Sequence, residues 1–206
     1  MPQHADLSQT TDDTRAVLER LDTAVRTGEL VRIRRHIRGA DRIEGFVVAV
    51  GPAWTLLAPC ADTRLDGWTA VRTADIATVR HRGDETCLTV RALRRRGRWP
   101  VRPPAPEVPL GELPDLVAAA CRGFGLVALH LERHRTDTCW IGALTEVRRK
   151  SLGLHEVDPA ARWHRSPTKF RFKDITRVDF GGHYEQTLDE FAGPRPGAEP
   201  LGEPSS

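Results

Sequence analysis

Arginine is the residue type through which this 206-residue chain could most directly do chemistry. Arg32, Arg34, Arg35, Arg38 and Arg42 lie in a stretch with one acid, Asp41, while Arg91, Arg94, Arg95, Arg96, Arg98 and Arg102 lie in a stretch with none. Guanidinium forks hold phosphate oxygens bidentately, and neutralising a phosphate chain releases its counterions. The candidates for nucleic-acid contact are therefore Arg32, Arg34, His36 and Arg38, which alternate along one face of an expected strand, and Arg94, Arg95, Arg96 and Arg98 with Trp99. The Trp99 indole could stack a base beside Arg98. The competing reading is a solvated strand face and a basic exit into a linker, with Trp99 packed on a proline. The formal net charge is only +3, so the rest of the chain is net acidic. Lys150, Lys169 and Lys173 are the only lysines and there is no Asn, a bias that a GC-rich genome produces without any role in binding. The clustering of the arginines carries the signal, and their total does not.

Other chemistry finds few residues. His155-Glu-Val-Asp158 with His164 and His183 is the one cluster of candidate metal ligands, and it has no second pair at regular spacing, so loop histidines are expected. A metal-dependent hydrolase at His155 and Asp158 is a minor alternative. Ser151 and Ser166 sit in no nucleophile elbow, and no glycine-rich phosphate loop occurs. Gly181-Gly182 reads as a tight turn. Trp54, Trp68, Trp140, Phe46, Phe124, Phe170 and Phe172 read as packing residues rather than a cofactor box. The expectation is a protein that is not an enzyme and has no cofactor and no metal. Cys60, Cys87, Cys121 and Cys139 form no C-x-x-C pair and each has apolar neighbours, as small buried hydrophobes in a reducing compartment would. The polar, acidic start of the chain is no secretory signal, and the longest apolar run, Gly45 to Leu57, is broken by Gly51-Pro52 and too short for a bilayer. A cytoplasmic location without membrane contact is expected.

The elements that would position these residues fall into two bodies. Residues 1–12 and 193–206 read as disordered ends, and six prolines in the stretch from Trp99 through Pro114 mark 99–113 as a linker, an extended polyproline spacer. Residues 13–98 and 114–192 then resemble each other. Ile43-Glu-Gly-Phe-Val-Val-Ala-Val50 matches Trp140-Ile-Gly-Ala-Leu-Thr-Glu-Val147, and Val71-Arg-Thr-Ala-Asp-Ile-Ala-Thr-Val79 matches Phe170-Arg-Phe-Lys-Asp-Ile-Thr-Arg-Val178, in the same order. Such self-similarity reads as a tandem duplication. Each copy starts with a helix: Asp13 to Thr27, capped by Thr11 or Asp12, and a second one after Pro114 whose stripe is Leu116, Val117, Ala120 and Cys121. Strands are expected at 30–37, 43–50, 54–58, 68–72 and 86–93, with 76–79 ending one ladder or starting the next. In the second copy they fall at 126–131, 140–147, 151–156, 169–172 and 175–180, and 184–191 fits a helix or a strand.

A helix followed by about five bent antiparallel strands, with a glycine in the middle of the second, resembles the Sm-like fold of Sm, LSm and bacterial Hfq proteins. The resemblance rests on Gly45 to Val50, Gly142 to Val147 and Phe170 to Val178, and covers nearly all of both bodies. It implies a mainly β protein of two tandem five-stranded Sm-like barrels, each preceded by a helix. The family's uracil-gripping Asn has no counterpart here, and its Lys-His pair stands as Lys173-Asp174 and Ala74-Asp75, so that base pocket does not carry over. Two roles follow: an RNA-binding regulatory module that uses its Arg clusters, or a protein-interaction or assembly module, with a protein partner or self-association through strand edges.

Overall fold

The computed structural model describes residues 4–197, and of residues 4–12 the backbone alone. The helix α1 runs His4–Thr27 and starts earlier than the expected Asp13, since no proline or glycine interrupts the chain between His4 and Gly28. Residues 1–3 and 198–206, part of the two expected loose ends, lie outside the described residues. Strands β1 (Leu30–Arg35), β2 (Ile43–Val50), β3 (Trp54–Ala61), the short β4 (Arg64–Leu65), β5 (Trp68–Arg72) and β6 (Ile76–Gly83) follow, then helices α2 (Leu88–Arg95) and α3 (Leu113–Phe124). The second half has β7 (Val127–His130), β8 (Cys139–Arg148), β9 (Ser151–Glu156), β10 (Thr168–Arg171), β11 (Arg177–Phe180) and helix α4 (His183–Ala192). A three-residue 3-10 turn separates β5 from β6 and recurs, as Phe172–Asp174, between β10 and β11.

The strands make one antiparallel sheet in the order β10-β9-β8-β7-β11-β5-β3-β2-β1-β6, with β4 beside β3. The chain is thus mainly β with short helices, but the expected pair of separate, closed five-stranded barrels is corrected. In each half the strands on either side of the 3-10 turn lie at opposite ends of the local order and do not pair with each other. One of those ends is used up in joining the halves, because β11 pairs with β5 along Arg177–Phe180 and Trp68–Arg72. Each half nonetheless repeats a single order: β5-β3-β2-β1-β6 in the first and β10-β9-β8-β7-β11 in the second.

The glycines at the centre of β2 and β8 set this repeat. A Cβ on Gly45 would lie 2.3 Å from the Ala58 carbonyl oxygen, and one on Gly142 2.1 Å from that of His155, so only hydrogen fits at either site. The ladder slips between Val47 and Ala49 in one copy and between Leu144 and Glu146 in the other, at the same distance beyond the glycine. Such bulges sharpen the bend of a strand.

Packing also joins the halves. The largest core cluster combines Trp54, Leu56 and Ala70 with Leu116, Val117 and Ala120 of α3 and with Val127, Leu129, Leu152, Val178 and Phe180. Helix α1 covers the other face of the first half, setting Leu21 and Ala24 on Val31, Ile33, Leu57 and Val71. The proline-rich segment carries neither helix nor strand, yet it is pinned down: Val101, Val108 and Leu110 pack on the largest cluster, and the Leu110 carbonyl accepts the amides of Ala53 and Trp54 at 3.3 and 3.1 Å. Across the halves, the Arg35 guanidinium forks onto the Glu132 carboxylate, with Nη2 2.6 Å from Oε1, and both side chains are almost fully buried.

Residues 86–93 correct a second expectation. The fifth strand is β6, and the segment expected as that strand forms most of α2, whose Val90 and Leu93 bury against Leu30 and Phe46. Thr86-Cys-Leu-Thr-Val reads as β by propensity, but Val90 and Leu93 at helical spacing, followed by good helix formers, decide it.

Adding one methyl at the closest backbone approach tests the role of the glycines. Gly142→Ala is expected to destabilise the fold by about 1–3 kcal/mol in chemical denaturation, as overpacking of a tight core does, whereas Ala at the unhindered Gly111 should leave stability nearly unchanged.

Candidate nucleic-acid interface

Strand register brings distant arginines together. Arg32 in β1 lies opposite Glu44 in β2 and Arg80 in β6, and Arg34 lies opposite Thr78. With Arg42 at the entry to β2 and with His81 and Arg82, they line an open groove of about 350 Å³ on the outer edge of the first half. Glu44 is the carboxylate that reaches into this group. Its Oε2 lies 2.6 Å from Arg32 Nη2 and 3.4 Å from Arg82 Nε. The His81 ring is held by Glu29, which also takes Arg20 at 2.8 Å. Five guanidinium groups line the groove and one carboxylate, shared by Arg32 and Arg82, offsets them, which leaves a net positive groove suited to a chain of phosphates.

The other first-cluster candidates part company with these two. β1 ends at Arg35 after a register shift. His36 consequently turns toward α1, lining a cleft with Ala16, Val17 and Ile76, while its amide donates to the Asp75 carbonyl at 2.8 Å. Arg38 is exposed in the loop beyond the strand.

The second cluster disperses around α2. The Arg94 guanidinium lies over the Trp99 ring, 4.4 Å from its centroid, and bonds Glu85 at 3.0 Å. Trp99 itself is half-buried and packs on the cluster of Leu30, Phe46, Val90 and Leu93, so the indole is a packing residue with one face already covered. Arg96 donates to the Thr63 carbonyl in the β3–β4 hairpin. Arg95 is exposed on α2, and Arg98 turns with Trp99 into a cavity between the halves. Leu30, Phe46, Arg32 and Glu44 share one face of β1 and β2 by alternation, so α2 borders the arginine groove.

Arg80 and Arg82 are the groove residues that reading the sequence for clusters missed, and Arg42, though in the first cluster, was not among the contact candidates. The available signal was the basic run Arg80-His-Arg82 at the end of a strand, and only pairing with β1 gives it meaning. A second basic surface was also missed: Arg149 and Lys150 of the β8–β9 turn meet Arg171 and Lys173 around the half-buried Phe172, with Arg171 paired to Asp174 at 2.7 Å.

The remaining candidate groups are engaged locally. His155 is buried, its Nε2 2.7 Å from the His164 carbonyl oxygen and its ring edge-on to Trp163. Asp158 accepts the amides of Ala160 and Arg162 and the Arg162 guanidinium. Among the described residues, no group of three or more His, Cys, Asp or Glu side chains is placed to hold a metal ion, and no helix is long and apolar enough to cross a membrane. Cys60, Cys87 and Cys121 are half-buried, and burial pushes the thiols of Cys60 and Cys121 up to about 11; Cys139 is exposed, unlike the buried position expected for it. Compared with protein-family models, with curated proteins and with solved structures, the chain finds no match in any of the three.

A polar network lies at the junction of the halves. Asp179 in β11 takes His130 Nε2 at 2.9 Å, Arg177 Nη2 at 2.6 Å and the Thr69 hydroxyl of β5 at 2.8 Å. Burial pushes its carboxyl up, but the hydrogen bonds and charges of His130 and Arg177 outweigh this and hold it well below the usual carboxylate range. Glu132 behaves alike: burial raises it, and Arg35 with Thr176 brings it below its ordinary value. A carboxyl depressed in the folded state stabilises fully above its unfolded pKa and loses that contribution as pH falls through its folded one. Stability is therefore expected to be level near neutral pH and to decline as pH drops below about 4. Urea unfolding at a series of pH values checks this, with Asp179→Asn flattening the decline.

Proposed function

We propose that this chain is a non-catalytic, RNA-binding regulatory module built from two Sm-like units, which holds a ribose-phosphate backbone in the arginine groove of β1, β2 and β6. The observation that carries this reading is the convergence of Arg32, Arg34, Arg42, Arg80 and Arg82, from three separate segments, on one groove in which Glu44 engages only Arg32 and Arg82. A duplex or single strand lying along this edge would meet phosphate-binding forks at the spacing of adjacent strands. The repeated strand order and the paired glycine bends support the family reading of each unit.

Assembly through the free edges is the alternative, and the edge residues speak against it. At the internal β5–β11 junction, Thr69 faces Asp179 and Trp68 stacks on Phe180 at 6.0 Å. The repeat places Arg80 and His81 of β6 where β11 has Asp179 and Phe180, and Pro167, just before β10, where β5 has Trp68. Neither the carboxylate nor the aromatic pair is reproduced, and β10 also carries Lys169 and Arg171. Charged edges of like sign resist pairing.

Binding of single-stranded RNA should weaken steeply with salt, with a slope of about −3.5 in log affinity against log salt if the five arginines each meet a phosphate. Arg80→Glu with Arg82→Glu, both at exposed positions, should lower affinity by at least about tenfold in fluorescence anisotropy while far-UV circular dichroism stays unchanged. Affinity indifferent to both salt and this variant would overturn the reading, and a defined oligomer persisting after nuclease treatment would favour assembly.

A further inference from the structure

The cavity between the halves has a chemistry distinct from the arginine groove. Its volume is about 580 Å³, a size suited to a small organic ligand. Three parts of the chain wall it: the hairpin ending in Trp68, the connecting segment from Gly97 to Arg102, and the second half through Phe124, Gly181, His183 and Gln186. One side is aromatic and fixed. Trp68 and Phe124 lie 5.1 Å apart, Trp68 is backed by Phe180, and the Gly181 backbone packs so closely that a Cβ there would come within 3.0 Å of both rings. The two ring planes are inclined at 48°, and rings held this way present apolar contact area at little entropic cost.

The other side is cationic. Arg98 and Arg102 border the cavity, and neither guanidinium has a hydrogen-bond or ion-pair partner among the described residues. One carboxylate, Asp66, lies in the wall against the two guanidinium groups, its Oδ1 accepting the His183 amide at 2.7 Å. The imidazole of His183 adds a further donor on the same wall.

We infer that this cavity binds a nucleotide, with the base against Trp68 and Phe124 and the phosphate between Arg98 and Arg102. A planar ring carrying a phosphate matches an aromatic wall next to two free forks, since phosphate offers oxygens to both guanidinium groups at once. The site is separate from the backbone groove on β1 and β6 and does not require it.

The test titrates the full chain with AMP, adenosine, inorganic phosphate and a short 5′-phosphorylated oligoadenylate, read by tryptophan fluorescence and calorimetry. AMP should give a saturable response, with adenosine and phosphate each at least about tenfold weaker. Arg98→Glu with Arg102→Glu should abolish the AMP response with the circular dichroism unchanged. Arg80→Glu with Arg82→Glu should keep it, even where RNA binding by the groove is lost. A response to the oligoadenylate alone, abolished by the Arg98/Arg102 substitutions, would identify the ligand as a nucleotide within a chain rather than a free one. The inference is overturned by no saturable response to AMP or oligoadenylate up to about millimolar concentration, by an undiminished response in the Arg98/Arg102 variant, or by loss of the AMP response in the Arg80/Arg82 variant.

Discussion

A sheet that does not close on itself leaves a row of unpaired amides and carbonyls at each end, and those rows must be paired, covered or charged. Each half of this chain ends in two such rows. The β5–β11 ladder removes one from each, and the other contacts between the halves are built around that join. Arg72, at the end of β5, donates from Nε to the Ile175 carbonyl at 2.8 Å and reaches the Phe172 carbonyl with its other arm, anchoring the turn before β11. Arg35 and Glu132 form a second tie, and removing either partner would leave the other buried without compensation, a loss of about 3–5 kcal/mol in comparable pairs. Helix α3 and the strap at Leu110 then cover a core to which both halves contribute.

The two remaining rows, on β6 and β10, are charged. The groove and the β6 edge are built from the same arginines, which make β6 a poor partner for another strand. On the proposed reading, protection of an open edge and recruitment of a polyanion would be one arrangement of side chains. The nucleotide-sized cavity, by contrast, exists only because the halves meet, since its aromatic wall takes Trp68 from one and Phe124 from the other.

Much of this was legible in local pattern. The glycine-centred strands β2 and β8, the boundaries of β9 and the Asp-Ile turns that open the last strands all follow from alternation and self-similarity. The failures were of two kinds. In α2, β-branched residues at 86–90 outweighed the helical spacing of Val90 and Leu93, a conflict that burial against Leu30 and Phe46 resolves. The single sheet and the arginine groove depend on pairings between residues far apart in the chain, such as Val71 with Arg177. No local window contains that information. Arg80 and Arg82 gain a place in the groove only through their register with β1, and packing decides Trp99 between stacking a base and burial.

Joining the copies in one polypeptide has a consequence of its own. In a ring of identical subunits, any substitution at a contact strand is imposed on every interface simultaneously, so an aspartate suited to one junction must be tolerated at all of them. Here the position of Asp179 in one copy is held by Arg80 in the other, and natural selection can tune each independently. Covalent linkage lifts the requirement of symmetry, so the fastening needs to be kept at one of the two matching positions only.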